Sequence, residues 1–270
     1  MLVTRESCDW EGNPDLYGIG VRAGLYAQWT ATLLATVFDQ RSEGVLRITN
    51  RIIQFAIFIG LCTESTKSGN AVGSVITQFL LCGSLSSVTG DGITNLNKVS
   101  GLMRIIFYMA LSAYGCWFWF TGVDAMTQTS CRHIAFFGRA SFTGWFRSLG
   151  KALSVMELIS CVCLCGVCGF FVYKRFRGGL AGLHEDRKRP RVDIVLMLLS
   201  MGLIAFSVAI VEYLISVNEP KGEITTTVSS VGQLIPLIAG TMACGMMLWR
   251  VVAGGLMWKK RCWFLIRCHL

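Results

Sequence analysis

Charge is scarce in this sequence, and so is histidine. Only 15% of its 270 residues are Asp, Glu, Lys or Arg, where soluble domains run nearer ~25%. The three histidines, His133, His184 and His269, fall in loops or in the tail. That argues against a histidine-metal site inside a membrane segment. No His-Glu-x-x-His and no Gly-x-Ser-x-Gly occurs, so the zinc-protease and nucleophile-elbow signatures are missing. No paired aspartates lie inside the apolar runs, which argues against an intramembrane aspartyl protease. The last apolar run has no lysine for a retinal Schiff base. No set of nucleophile, base and metal ligand emerges. The chain therefore reads as a non-enzyme, with no catalytic residue, metal or cofactor expected. None of the six asparagines sits in an Asn-x-Ser/Thr sequon, so N-glycosylation is not expected. The opening residues hold Glu6, Asp9, Glu11 and Asp15 instead of a basic stretch before an apolar core. The first apolar run is then expected to serve as an uncleaved signal-anchor.

Apolar residues are what the sequence has in excess. They make up 53% of it, and the mean hydropathy is +0.55. They gather in blocks of membrane-spanning length, about 20 residues each. The expected fold class is therefore all-α: a polytopic membrane helix bundle of about seven transmembrane helices. Span 1 covers about Tyr17–Phe38 and span 3 about Ala71–Val88. Span 4 covers about Leu102–Val123, and spans 5, 6 and 7 cover Val155–Tyr173, Val192–Val217 and about Thr227–Val252. Span 2, Ile52–Cys62, is short, and crosses only if Arg47 and Arg51 sit at the headgroups; otherwise it is an interfacial helix. Asp39–Asn50 reads as a short loop. Asp124–Ser154 interleaves Phe136, Phe137, Phe142, Trp145 and Phe146 with Arg132, Arg139, Arg147 and Lys151, and reads as a segment lying on the membrane surface. The organisation expected is an extracytoplasmic segment 1–16, a bundle 17–256, and an amphipathic basic tail 257–270.

Orientation follows from the basic residues. Lys174, Arg175, Arg177, Arg187, Lys188, Arg189 and Arg191 lie between spans 5 and 6, and Lys259, Lys260, Arg261 and Arg267 lie in the tail. Basic residues beside spans stay in the cytoplasm. This places the N-terminus outside and the C-terminus inside. The formal net charge of +9 then points to anionic lipid headgroups rather than nucleic acid, because the cations cluster beside apolar blocks. The expected location is a plasma membrane or an endomembrane. The Asp124–Ser154 linker falls outside with four basic residues, against the rule.

Polar groups inside the spans are the candidates for function, since charges at that depth are costly and face the bundle interior or water. Arg22, Glu157, Glu212 and Gln233 come from four different spans. Counted from the expected span ends, all fall in the outer third. One reading is an outward-facing pocket with Arg22 and Glu212 as an ion pair. The other is a structural pair that locks helices. Pro236 has no N–H and leaves the Gly232 carbonyl without its helical partner, beside Gln233. A plain proline kink, satisfied by neighbours or water, is the alternative. Gly20-x-x-x-Gly24 and Gly83-x-x-x-Ser87 offer small faces for helix contact.

Cysteines number 12. Cys8 and Cys131 both fall outside in this arrangement, so they form either a disulfide or two free thiols. Cys161, Cys165 and Gly169 line one face of span 5 and read as small packing residues rather than a zinc site. Cys262 and Cys268, among basic and aromatic residues, are palmitoylation candidates, with unmodified thiols the alternative.

Two stretches carry a resemblance. Cys8-Asp9 with Asn13-Pro-Asp-Leu-Tyr-Gly-Ile-Gly-Val-Arg-Ala-Gly-Leu-Tyr-Ala-Gln-Trp29 resembles the opening of a family of uncharacterised fungal multi-span integral membrane proteins. Ser230-Val-Gly-Gln-Leu-Ile-Pro-Leu237 resembles the start of that family's last span. The resemblance implies a fungal origin, several spans, and special roles for Arg22, Gln233 and Pro236. No activity comes with it. From the residues themselves, three functions are open. A receptor-like sensor needs an outer pocket and an inner basic surface. A channel or transporter needs a continuous polar path, for which the middle of the spans offers only Gln28, Gln54, Gln78, serines and threonines, so the sensor is the favoured reading. The third is a non-catalytic membrane organiser.

Overall fold

A computed structural model describes residues 12–66, 70–83, 99–127, 133–135, 139–142, 144–177, 194–218, 227–228 and 230–267. The architecture is an all-α helix bundle with one small ribbon. The helices are α1 (Pro14–Tyr17), α2 (Ile19–Phe38), α3 (Gln40–Thr66), α4 (Ala71–Cys82), α5 (Val99–Trp117), α6 (Val123–Thr127), α7 (Trp145–Arg177), α8 (Ile194–Asn218) and α9 (Val231–Arg267). A π-helical turn, Phe118–Gly122, joins α5 to α6. Strands β1 (His133–Ala135) and β2 (Arg139–Ser141) pair antiparallel, with Ile134 opposite Ala140. Within α3, α5, α7, α8 and α9, five helices are long and apolar enough to cross a membrane. The protein is embedded in a lipid bilayer.

Local chemistry explains the breaks. Asn13 caps α1 by accepting from the Asp15 N–H at 3.0 Å, and Pro14 follows at the first helical position, where a missing N–H costs nothing. Asn70 caps α4 in the same way, accepting from the Val72 N–H at 2.9 Å. The helices then run antiparallel in chain order. The start of α3 lies at the end of α2, where the Thr36 hydroxyl donates to Glu43 at 2.9 Å. The end of α3 lies at the beginning of the chain's described part, where Asn13 donates to Glu64 at 3.1 Å. So α3 runs the full depth of the bundle, 27 residues and ~40 Å. The expected loop at Asp39–Asn50 is helix from Gln40 onward. Arg47 and Arg51, on whose placement the crossing of span 2 depends, are buried in the bundle. Arg47 is held by Glu43 and Thr36. Arg51 donates to Gln54 and Tyr108 and lies over the Phe107 and Tyr108 rings.

Two further boundaries move. In α4 there are only 12 residues, ~18 Å, nearly all buried. Residues 84–88 of expected span 3 lie outside the described residues. The surface segment expected at Asp124–Ser154 is also revised. Its last ten residues are the start of α7, and Phe142 and Phe146 belong to the main core. Arg147 donates to the carbonyls of Trp119 and Phe120 at 3.0 and 2.8 Å, and to both carboxylate oxygens of Asp124 at 2.7 Å. A π-turn leaves carbonyls without their usual partners, and here one guanidinium takes two of them. At the other terminus α9 continues as helix through most of the expected tail, to Arg267.

The core gathers Val21, Leu25 and Trp29 of α2, Ile57 and Leu61 of α3, Val75 and Leu80 of α4, Phe107 and Leu111 of α5, and Val211 and Leu214 of α8. The closest helix pair is α2 with α9, and it is parallel. Along it Gly20 meets Gln233, Gly24 meets Pro236 and Gly240, and Ala31 and Ala35 pack with Ala243 and Met247. Any side chain at Gly24 would overlap the Pro236 backbone. This is the small-residue contact that lets two membrane helices approach closely.

Candidate functional site

Arg22 stands one turn into α2, and Tyr26 follows four residues later on the same face. Both reach Glu212, about one and a half turns from the end of α8. Arg22 forms an ion pair with Glu212, and the Tyr26 hydroxyl donates to its other carboxylate oxygen at 3.0 Å. The pair is lopsided: the Arg22 side chain is 5% exposed and that of Glu212 is 47% exposed. Around it is a cleft of about 370 Å³, closed on its apolar sides by Ile19, Ala23 and Ile215. The buried Arg22 Nε has no hydrogen-bond partner. The cleft thus presents a half-exposed carboxylate beside a short apolar wall, with the guanidinium buried behind it.

Gln233 belongs to a different piece of machinery. It is fully buried, and its carbonyl oxygen accepts from the Gly20 N–H at 3.3 Å. That N–H is one of the orphan donors at the start of α2, so α9 caps α2 from the side. Ser230 caps α9 itself, accepting from the Gln233 N–H at 3.3 Å, and donates to Asp15. The Asp15 carboxylate lies against Gly232, in the first turn of α9, where the helix dipole favours negative charge. The beginnings of α1, α2 and α9 are thereby tied together. Tyr17 completes this end: its buried hydroxyl accepts from the Asn13 N–H at 2.8 Å.

Glu157 is elsewhere again. Because α7 begins at Trp145 rather than Val155, Glu157 lies about three turns in, ~18 Å from the start of α7, and not in the outer third. Its neighbours are Ser112 and Cys116 of α5 and Cys82 of α4. So of the four residues expected to share a pocket, Arg22 and Glu212 meet, while Gln233 and Glu157 do not line their cleft.

The remaining candidates divide. Cys8, Cys131 and Cys268 lie outside the described residues, and Cys262 falls within α9 at a position whose side chain is not described. Cys161 is buried against Ser112, whereas Cys165 is only half-buried and Gly169 faces open space. The packing face expected along span 5 therefore ends at Cys161. Sequence reasoning missed Tyr26, which the i, i+4 spacing from Arg22 could have flagged. It also missed the pairing of Arg250 with Asp39 and Ser42 at the far end of the α2–α9 seam. No local signal connects residues so far apart in the chain. No family model, curated protein or solved structure matches this chain.

Proposed function

We propose that the protein is a receptor-like membrane sensor whose ligand site is the Arg22–Tyr26–Glu212 cleft, with that end of the bundle facing outside and the basic stretch Lys174–Arg191 in the cytoplasm. The observation that carries this reading is the lopsided ion pair. A carboxylate left half-exposed beside a buried guanidinium can exchange its partner for a ligand cation without first unpacking a helix. Placement beside α2 matters too, because α2 contacts α3, α8 and α9, and a shift there reaches the far end through Arg250 and Asp39. The basic residues beside spans 5 and 6 support the orientation. Arg147, the four-cation linker's best-placed exception, has its charge matched by Asp124.

Transport is a second reading, favoured by one observation. Both amide atoms of Gln28 and the amide nitrogen of Gln78 are buried without partners. Unsatisfied amides in the apolar layer are costly, and a file of water or solute would satisfy them. One pair of measurements separates the readings. Full-length protein in vesicles is challenged with choline, amino acids and polyamines. Slowed hydrogen exchange in α2 and α8 without flux, lost in Glu212→Gln, supports the sensor. Flux of any of these, abolished by Glu212→Gln, overturns it in favour of transport.

A further inference from the structure

We infer that Glu157, at the junction of α4, α5 and α7, is a proton-binding site inside the membrane layer. Three helix faces converge on it. From α5 come Ser112 and Cys116, one turn apart. From α4 comes Cys82, with Gln78 one turn before it. On α7 itself Ser154 and Cys161 flank Glu157 on the same side of the helix. Gly115 lets the faces close: a methyl there would stand 2.8 Å from the Ser154 hydroxyl and 3.8 Å from the Gln78 amide oxygen.

The site is defined by how its carboxyl differs from the ion-paired ones. Glu212 is paired with Arg22, Glu43 with Arg47, Asp39 with Arg250 and Asp124 with Arg147. Glu157 has no guanidinium or ammonium partner among the described residues. The titratable groups that face it are thiols, Cys82 and Cys116, with Cys161 on its own helix. The nearest lysine on its helix, Lys151, is engaged over the Phe120 ring at 4.8 Å. One Glu157 carboxyl oxygen is buried without a hydrogen-bond partner, and so is the Gln78 amide nitrogen. An isolated carboxylate in an apolar layer costs far more than its neutral acid. A bound proton removes that cost, and it also gives the carboxyl a donor. The Ser112 hydroxyl proton goes to the Tyr108 carbonyl at 2.7 Å. The ligand class is therefore the proton itself, and the site stands whichever functional reading of the cleft holds.

The test is solid-state NMR of the full chain in lipid vesicles, with glutamate labelled at its carboxyl carbon. Glu157→Gln removes one resonance. That resonance is expected at the position of a neutral acid at neutral pH, and the Glu212 resonance at that of a carboxylate. A missing resonance at the carboxylate position overturns the proposal. So does a neutral-acid resonance that becomes carboxylate when sodium or potassium is added at constant pH, since the site would then take a metal cation. A second measurement needs no variant to fold. Dicyclohexylcarbodiimide, which is lipid-soluble, adds a carboxylic acid across its C=N bond: the acid proton goes to nitrogen, the oxygen bonds to the central carbon, and nothing leaves. Peptide mass analysis is expected to place this adduct on Glu157 and not on Glu212. An adduct on Glu212 with none on Glu157 overturns the assignment.

Discussion

The helices α2 and α7 make opposite use of the same bilayer. Of the two, only α7 holds a stretch, Trp145–Val167, that qualifies as a spanning segment on length and composition. Yet only 17% of that apolar window is buried inside the protein. Its Met156, Ile159, Val162 and Val167 face outward, where lipid replaces protein contact. In contrast α2 carries Arg22, Gln28 and the three threonines Thr30, Thr32 and Thr36, and it does not qualify. It is nonetheless well enclosed, with ten buried residues among its twenty. Hydropathy measures affinity for lipid, and the helix at the centre of a bundle meets little lipid. Polarity in α2 is met in part across helices, Arg22 by Glu212 of α8 and Thr36 by Glu43 of α3, and in part within α2, where Thr30 and Thr32 donate to carbonyls one turn back.

That contrast can be broken or sharpened by substitution, most sharply with a single change made in both helices. Gly24→Ala forces a methyl into the Pro236 backbone. It is expected to destabilise by about 3 kcal/mol, in the range of overpacked cores, read as lower thermal and denaturant stability of the detergent-solubilised protein. Next comes Glu212→Gln, which leaves the buried Arg22 without its counter-charge. A loss of about 2 kcal/mol is expected, below the figure for a fully buried pair because Glu212 is half-exposed. The same unfolding measurement reads it, and restored stability in a double variant with Arg22→Leu marks the pair as the cause. Gln233→Leu strips the acceptor from the Gly20 N–H. About 1–2 kcal/mol is expected, with faster amide exchange confined to the start of α2. The smallest effect, and of opposite sign, is Gly166→Ala on α7, where a methyl meets open space. Helix propensity alone then acts, and a gain of about 0.5–1 kcal/mol is expected. Equal losses from Gly24→Ala and Gly166→Ala would erase the distinction between the two helices.

Legibility from sequence tracked the same physics. Spans 4 to 7 were readable because long apolar runs announce lipid contact. Span 2 was ambiguous because Arg47, Asn50, Arg51 and Gln54 crowd its start, and all four are buried with polar partners. The Arg22–Glu212 pairing was readable as a possibility from the cost of two charges at like depth. Glu157 was misplaced because the amphipathic opening of α7, with Arg147 and Lys151, resembles a surface segment. The two stretches that carried the resemblance, Asn13–Trp29 and Ser230–Leu237, dock on each other through Asp15, Ser230, Gly20 and Gln233.

By itself the sequence determined that this chain lives in a bilayer as a helix bundle, and which groups were too costly to leave there without partners. Both follow from transfer free energies, which depend on residue type and run length. Only the tertiary structure decided who those partners are. It set Glu212 against Arg22, Gln233 against Gly20, and Glu157 beside hydroxyls and thiols. Such pairings depend on helix rotation and depth, and these are set by the close fit of Gly24 on Pro236 and its neighbours, across more than two hundred residues of intervening chain.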